Sequence, residues 1–179
     1  MDKWDIRYRS GDFGGMAPAS LLTDHVPPLP PDGRALDLAC GAGRNAIWLA
    51  GRGWRVTGVD ASFAGLQIAQ DLCRGRVALL QHDLERDPLP FADASFDLVL
   101  NILFLHRPLF AEARRVTRPG GTFMASIHTT RAQRMNRAWC LGEGELREVF
   151  HDWEIVVYRE DVVAEIVARR PHFIHSKTT

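Results

Sequence analysis

The sequence is short of cysteine, of net charge and of long apolar runs, and each shortage removes a class of protein. Its 179 residues hold three cysteines, Cys40, Cys73 and Cys140. The number is odd, the residues are far apart and no Cys-x-x-Cys spacing occurs, so neither a disulfide framework nor a zinc site is indicated. Lys and Arg total 22 against 22 Asp and Glu. That balance leaves no broad basic field of the kind that draws a protein to nucleic acid or to an anionic membrane surface. The most apolar stretch, residues 98–105, falls well below the roughly 20 residues needed to span a bilayer and contains Asn101. The first nine residues are charged and aromatic rather than a basic tip before an apolar run, so they do not read as a secretory signal. The expected location is the cytoplasm. Internal repeats and low-complexity tracts are also missing, and His172 and His175 near the end have no partners that would make a metal site.

What is present is ordinary globular material, 46% apolar and 25% charged, long enough for a single core. The prolines of residues 26–33 separate a leader, residues 1–30, from one domain over 31–179. Beyond them, buried-strand runs alternate with helical patterns, the signature of βαβ units and a largely parallel sheet. Strands are predicted over 35–39, 54–59, 77–80, 96–101 and from the Pro119-Gly-Gly121 turn to 127. Helices are predicted over 43–51, after Ser62 as far as Gly75, from Pro108, and over 143–150. Two further β-rich runs, 153–158 and 162–168, are separated by three residues. Parallel strands need a crossover of about a dozen residues, so this last pair must be an antiparallel hairpin. The expected architecture is α/β, a Rossmann-like, doubly wound mixed sheet of seven strands.

The chemistry concentrates at Leu36-Asp-Leu-Ala-Cys-Gly-Ala-Gly-Arg-Asn45, a strand running into a glycine turn that opens a helix. Gly41 and Gly43 permit a tight turn and leave amides facing an anionic or polar ligand. Asp60 ends the second strand 19 residues after Gly41, near the spacing at which a carboxylate accepts from the hydroxyls of an adenosine ribose. Gly41-x-Gly43-x-x-Ala46 also satisfies the looser dinucleotide fingerprint. Asp37 beneath the turn, Arg44-Asn45 after it and Asp83 beyond the third strand tilt the reading toward a ligand that carries a cation, because a buried carboxylate is matched by an ammonium and opposed by a pyrophosphate.

At this point the sequence resembles the class I S-adenosylmethionine-dependent methyltransferases, and among them the small enzymes of the tellurite-resistance and thiopurine type. The resemblance rests on Asp37-Leu-Ala-Cys-Gly-Ala-Gly-Arg-Asn45, Val56-Thr-Gly-Val-Asp60-Ala-Ser62, His82-Asp83-Leu84 before Leu89-Pro-Phe91, Phe96-Asp-Leu-Val-Leu100, Arg118-Pro-Gly-Gly121 and the terminal hairpin. It implies S-adenosylmethionine as cofactor. Asp37, Gly41 and Gly43 would hold the methionine end, with Arg44 and Asn45 beside its carboxylate and amine. Asp60 would take the ribose, Ala61 would pack near the adenine, Asp83 would accept from its exocyclic amine and Leu84 would offer a backbone amide to the ring. Asn101 would line the gap between methionine and acceptor. Trp4-Asp-Ile-Arg-Tyr8 resembles an element that closes over the cofactor, which gives Tyr8 a binding role.

The implied reaction is methyl transfer to a small acceptor: a thiol, a chalcogen oxyanion, or a small alcohol or amine. His106, just past the fourth strand, is the first candidate base, with His128 second. The Asn/Asp-Pro-Pro-Tyr/Phe element of nucleobase methyltransferases is missing, because Ile-Leu-Phe follows Asn101. The expected partners are therefore a small molecule and at most a second copy of the chain, with neither nucleic acid nor membrane. Plainer readings compete. Asp60 could cap a helix, Asp83 could start a turn, Trp4 and Tyr8 could pin a terminus, and His106 could serve the start of a helix. Arg131, Arg134 and Arg137 are read as a solvated face over a substrate cover rather than as an anion site. A nicotinamide-dependent oxidoreductase and a non-catalytic S-adenosylmethionine-binding scaffold or sensor remain as rivals.

Overall fold

A computed structural model describes residues 3–11, 15–133 and 135–172. Seven strands form one sheet: β1 (Arg34–Leu38), β2 (Arg55–Asp60), β3 (Val77–Gln81), β4 (Phe96–Ile102), β5 (Thr117–His128), β6 (Glu154–Glu160) and β7 (Val163–Arg169). Their order is β3-β2-β1-β4-β5-β7-β6. The first five are parallel, and β7 runs antiparallel to both β5 and β6. Asp161 and Val162 alone join β6 to β7. A two-residue link leaves no geometry except the hairpin.

Helices cover both faces, because alternate residues of the central strands are apolar on each side. Leu36, Leu38, Val99, Phe123 and Ala125 pack with Leu109, Phe110 and Ala113 of α5 (Pro108–Val116) and with Leu146 of α6 (Glu145–Val149). Ala35, Val56, Leu98, Leu100 and Met124 pack on the other face against Ala46 and Leu49 of α3 (Arg44–Ala50) and Cys73 of α4 (Phe63–Cys73). Asp97 is the second residue of β4, at the strand end away from the ligand side. It accepts the Arg34 amide and pairs with Arg118, a structural use of its charge.

The leader contributes two short helices, α1 (Lys3–Arg9) and α2 (Ser20–His25). Leu21 and Leu22 bury α2 in the second core, and Asn45 Oδ1 accepts the Ala19 amide, so residues 19–25 are built into the domain. α1 buries no residue and docks through polar contacts instead. Asp5 accepts from the Ser62 hydroxyl at 2.6 Å and from the Ala64 amide at 3.2 Å, at the start of α4. Ser62 itself accepts the Gly65 amide. The helix start therefore holds two acceptors, one of them charged, where its free amides favour negative charge. Those two hydrogen bonds draw the Asp5 carboxyl below its ordinary range.

Candidate functional site

Parallel strands of an open α/β sheet end together, and the order reverses between β1 and β4, where a crevice opens. A cavity of about 490 Å³ occupies this edge, within the range of small-molecule sites. Its floor follows the strand order. Asp83, Leu84 and Glu85 follow β3, Asp60 and Ala61 end β2, Ala39, Cys40 and Ala42 follow β1, Ile102, Leu103 and Phe104 end β4, and His128 ends β5. Lys3, Trp4, Arg7 and Tyr8 of α1 form a roof, with Arg44, Asn45, Gly15 and Met135 completing the wall. Ala39 and Leu103 hold left-handed φ values of 54° and 60° immediately beyond β1 and β4. Side-chain-bearing residues rarely adopt that conformation, and it places strained backbone on the cavity wall.

The glycine turn is closed by the Gly43 amide on the Cys40 carbonyl at 2.8 Å. Gly41, at φ 54°, stands where any Cβ would collide with the Tyr8 hydroxyl. Asp60 ties the turn to β2: its Oδ2 accepts the Gly41 amide and its Oδ1 the Ser62 amide, both at 2.8 Å. A carboxylate has about four acceptor positions. Asp60 also lines the cavity, so its helix-start and ligand readings coexist. Burial, then the Asp60 charge, pushes the Tyr8 hydroxyl well above its ordinary range. Tyr8 therefore keeps its proton.

Asp37 lies under the turn, 1% exposed, and its Oδ2 accepts the Ala46 amide at 3.1 Å. Burial pushes its carboxyl up to about 7, and the Arg44 charge only partly offsets this. Burial raises the Cys40 thiol as well, which keeps it protonated and unreactive.

Of the residues singled out in the sequence, Tyr8, Arg44, Asn45, Asp60, Ala61, Asp83 and Leu84 line the cavity. Gly41 and Gly43 sit in the turn that supports it, and Asp37 lies on β1 beneath. Asp83 also accepts the Glu85 amide at 3.0 Å and pairs with Arg86 at 3.2 Å, so the turn reading holds beside its cavity position. Two expectations meet a different arrangement. Asn101 does not line the cavity. It is fully buried on β4, with neither side-chain Oδ1 nor Nδ2 bonded among the described residues. His106 is also off the wall, and its carbonyl accepts the Leu109 amide at the first turn of α5. It lies four residues beyond the end of β4, where the chain has already turned away into the helix.

His128 is the histidine of the wall, and its position as the last residue of a parallel strand is the signal that marks it. Arg7 belongs to the Trp4-Asp-Ile-Arg-Tyr8 element, whereas Lys3, Glu85, Leu103, Phe104 and Met135 have no sequence motif to mark them. Arg131 pairs with Glu143 at 3.3 Å and Arg137 is exposed, both off the cavity, while Arg134 lies outside the described residues, as does His175. Among the described residues no group of three His, Cys, Asp or Glu side chains could hold a metal ion.

The roof depends on a glycine of α4. A Cβ on Gly65 would stand 2.9 Å from the Tyr8 ring, although Ala normally favours a helix by about 1 kcal/mol over Gly. Gly65→Ala is therefore expected to leave thermal stability equal or higher while loosening α1. Faster release of a cavity ligand in stopped-flow, together with faster proteolysis ahead of residue 15, checks this. Unchanged release would remove Tyr8 from the roof's working parts.

Comparisons with known proteins agree with the geometry. Residues 36–125, half of the chain, match the family described as "Methyltransferase domain". A malonyl-[acyl-carrier protein] O-methyltransferase of Erwinia pyrifoliae is 38% identical across 68% of this chain and 42% of its own length. A demethylmenaquinone methyltransferase of Tropheryma whipplei is 36% identical across 48% and 38%. The chain thus spans less than half the length of these curated relatives. In fold it is similar to TehB from Haemophilus influenzae, with a TM-score of 0.77 at 19% identity over 93% of this chain and 67% of that one. It is also similar to the [4+2]-cyclase SpnF, with a TM-score of 0.68 at 21% identity over 84% and 78%.

The donor set fits S-adenosylmethionine, with acceptor carboxylates Asp60 and Asp83 on the β2 and β3 side and a glycine turn over a buried carboxylate beside them. From the glycine turn, the strand order and the matched residues together, the chain belongs to the methyltransferase domain family and has the class I, S-adenosylmethionine-dependent fold.

Proposed function

We propose that the protein transfers the methyl group of S-adenosylmethionine to a small-molecule acceptor in the cytoplasm. The observation that carries this reading is Asp60, which lines the cavity and is bonded through the Gly41 amide to the glycine turn. The adenosine would lie over Asp60, Ala61, Asp83 and Leu84, and the methionine end over Gly41, Gly43, Arg44 and Asn45 with Asp37 beneath. The bound cofactor supplies an already activated methyl group. The chain's part is then to align a nucleophile with it and exclude water. The α1 roof serves the second purpose, since Asp5 holds it on α4 and Lys3 lies 3.9 Å over the Trp139 ring. A roofed cavity suits a small acceptor, whether the chain acts as a monomer or a homodimer, and suits nucleic acid or a membrane surface poorly.

Calorimetric titration with S-adenosylhomocysteine, beside oxidised and reduced nicotinamide dinucleotides, tests the reading. Selective binding near micromolar, about −8 kcal/mol, is expected. Binding of the dinucleotides alone would overturn it in favour of an oxidoreductase. The likeness to a cyclase keeps a second reading open, cofactor binding without methyl transfer, because fold does not fix chemistry. Labelled methyl groups recovered in product separate the two.

A further inference from the structure

We propose that His128 receives the acceptor's proton, and that the acceptor is a small apolar molecule bearing a neutral hydroxyl. The inference rests on the methyltransferase reading above and concerns the other half of the same cavity. The floor changes character along the sheet. Its acidic groups, Asp60, Asp83 and Glu85, belong to the β2 and β3 ends, whereas the β4 and β5 ends contribute Ile102, Leu103 and Phe104, with Met135 beside them. Among the described residues on that half, His128 is the one ionisable side chain of the floor.

The roof above carries Lys3 and Arg7, and both are engaged with rings. The Lys3 ammonium is 3.9 Å from the Trp139 centroid, and the Arg7 guanidinium is 5.5 Å from that of Trp4. A charged acceptor on the apolar floor would lose far more hydration free energy than a neutral one. Leu103 is half exposed at 49% with a left-handed φ of 60°, its amide given to the Ser126 carbonyl at 2.7 Å. A strained, exposed leucine on a cavity wall is the kind of surface that a flat apolar ligand covers.

His128 supplies the second observation. Its Nδ1 is buried and has no hydrogen-bond partner among the described residues, while its carbonyl is fixed by the Leu141 amide at 2.8 Å. That buried nitrogen has no surface to offer a ligand, so the ring presents its other nitrogen, Nε2, to the cavity it lines. An acceptor hydroxyl donates to Nε2 directly. In the step, the acceptor's O–H bond breaks and its proton passes to the imidazole. The oxygen forms the new bond to the methyl carbon, and the sulfur–carbon bond breaks with its electron pair going to sulfur. The imidazolium then returns the proton to solvent. Acceptor and cofactor give methyl ether, S-adenosylhomocysteine and one proton.

The test uses full-length protein with ¹⁵N-labelled histidine, saturated with S-adenosylhomocysteine, and phenol, 2-naphthol, thiophenol and selenite as probes. Phenol and 2-naphthol are expected to shift the His128 ring resonances and, with S-adenosylmethionine in place of the product, to be methylated. In His128→Phe the ratio of phenol to thiophenol methylation should fall about a hundredfold, within the range of general base catalysis. His128→Gln, which retains a polar side chain, guards against misfolding of the first variant and should show the same fall. Ring resonances unmoved by both hydroxyl probes, an unchanged ratio in both variants, or shifts produced by selenite alone would each overturn the proposal. Failure to bind S-adenosylhomocysteine at all would instead be failure of the methyltransferase reading.

Discussion

Asp60→Ala is expected to weaken S-adenosylhomocysteine binding by about a hundredfold and to lower stability by about 2 kcal/mol. The two effects have separate causes. In the folded protein the carboxylate occupies the Gly41 and Ser62 amides at 2.8 Å each. Truncation leaves two donors at the edge of the core without an acceptor, at about 1–3 kcal/mol for each that water cannot reach. On the ligand side, two hydroxyls lose a charged acceptor. Hydrogen bonds to charged groups contribute about 1.5–3 kcal/mol each, and about 3 kcal/mol is a hundredfold in affinity. Asp60→Asn separates these contributions. Its one carbonyl oxygen can keep an amide but cannot replace both carboxylate oxygens, so stability should recover more than affinity does. Urea titration and calorimetry on both variants provide the check. Wild-type affinity in Asp60→Ala would end the ribose assignment, leaving Asp60 as a brace between β2 and the glycine turn.

The parts of this site that are legible in the sequence are those encoded locally. The strand, Gly41-x-Gly43 turn and α3 are contiguous, and Asp60 closes the next strand, so residue spacing alone marks both ends of the Asp60–Gly41 bond. The hairpin is legible from loop length. The roof is not legible as a helix, because α1 buries no residue and so leaves no apolar period to read. Its anchor, Asp5 on Ser62, joins positions 57 residues apart. The two histidines show the same limit differently. Both follow apolar strand runs in the sequence, but His106 is carried past the cavity into the first turn of α5, whereas His128 is still within β5 and keeps the cavity edge. Asn101 stands near the end of a strand beside the switch point, which in the sequence alone is the position of a lining residue. Its burial depends on how β4 sits between β1 and β5, and that pairing is a long-range property.

Asp37→Asn should stabilise the free protein above pH 7 while it weakens cofactor binding. Burial raises the Asp37 carboxyl from 3.8 to about 7. Below the lower value both folded and unfolded chains are protonated there, and the group contributes nothing to pH dependence. Between the two values the folded chain keeps a proton that the unfolded chain has released, so stability falls as pH rises. Above about 7 the whole penalty is in place, on the order of 4 kcal/mol for a shift of about three units. Asparagine has no such titration, and its carbonyl can still accept the Ala46 amide. The difference in stability between variant and wild type should therefore grow from pH 4 to pH 7 and then level. The carboxyls of Asp5, Glu112, Glu145 and Asp152, held low by their partners, cancel in that difference. Binding should move the opposite way. An ammonium brought over the turn favours the ionised carboxylate, so near pH 6 the wild type should release a proton on taking S-adenosylhomocysteine. Titrations in buffers of different ionisation enthalpy measure that proton directly. The variant should release less and bind at least about tenfold more weakly, the loss of one charged hydrogen-bonding partner. Equal affinity with an equal proton count would mean that Asp37 supports the turn through Ala46 alone and never meets the ligand's charge.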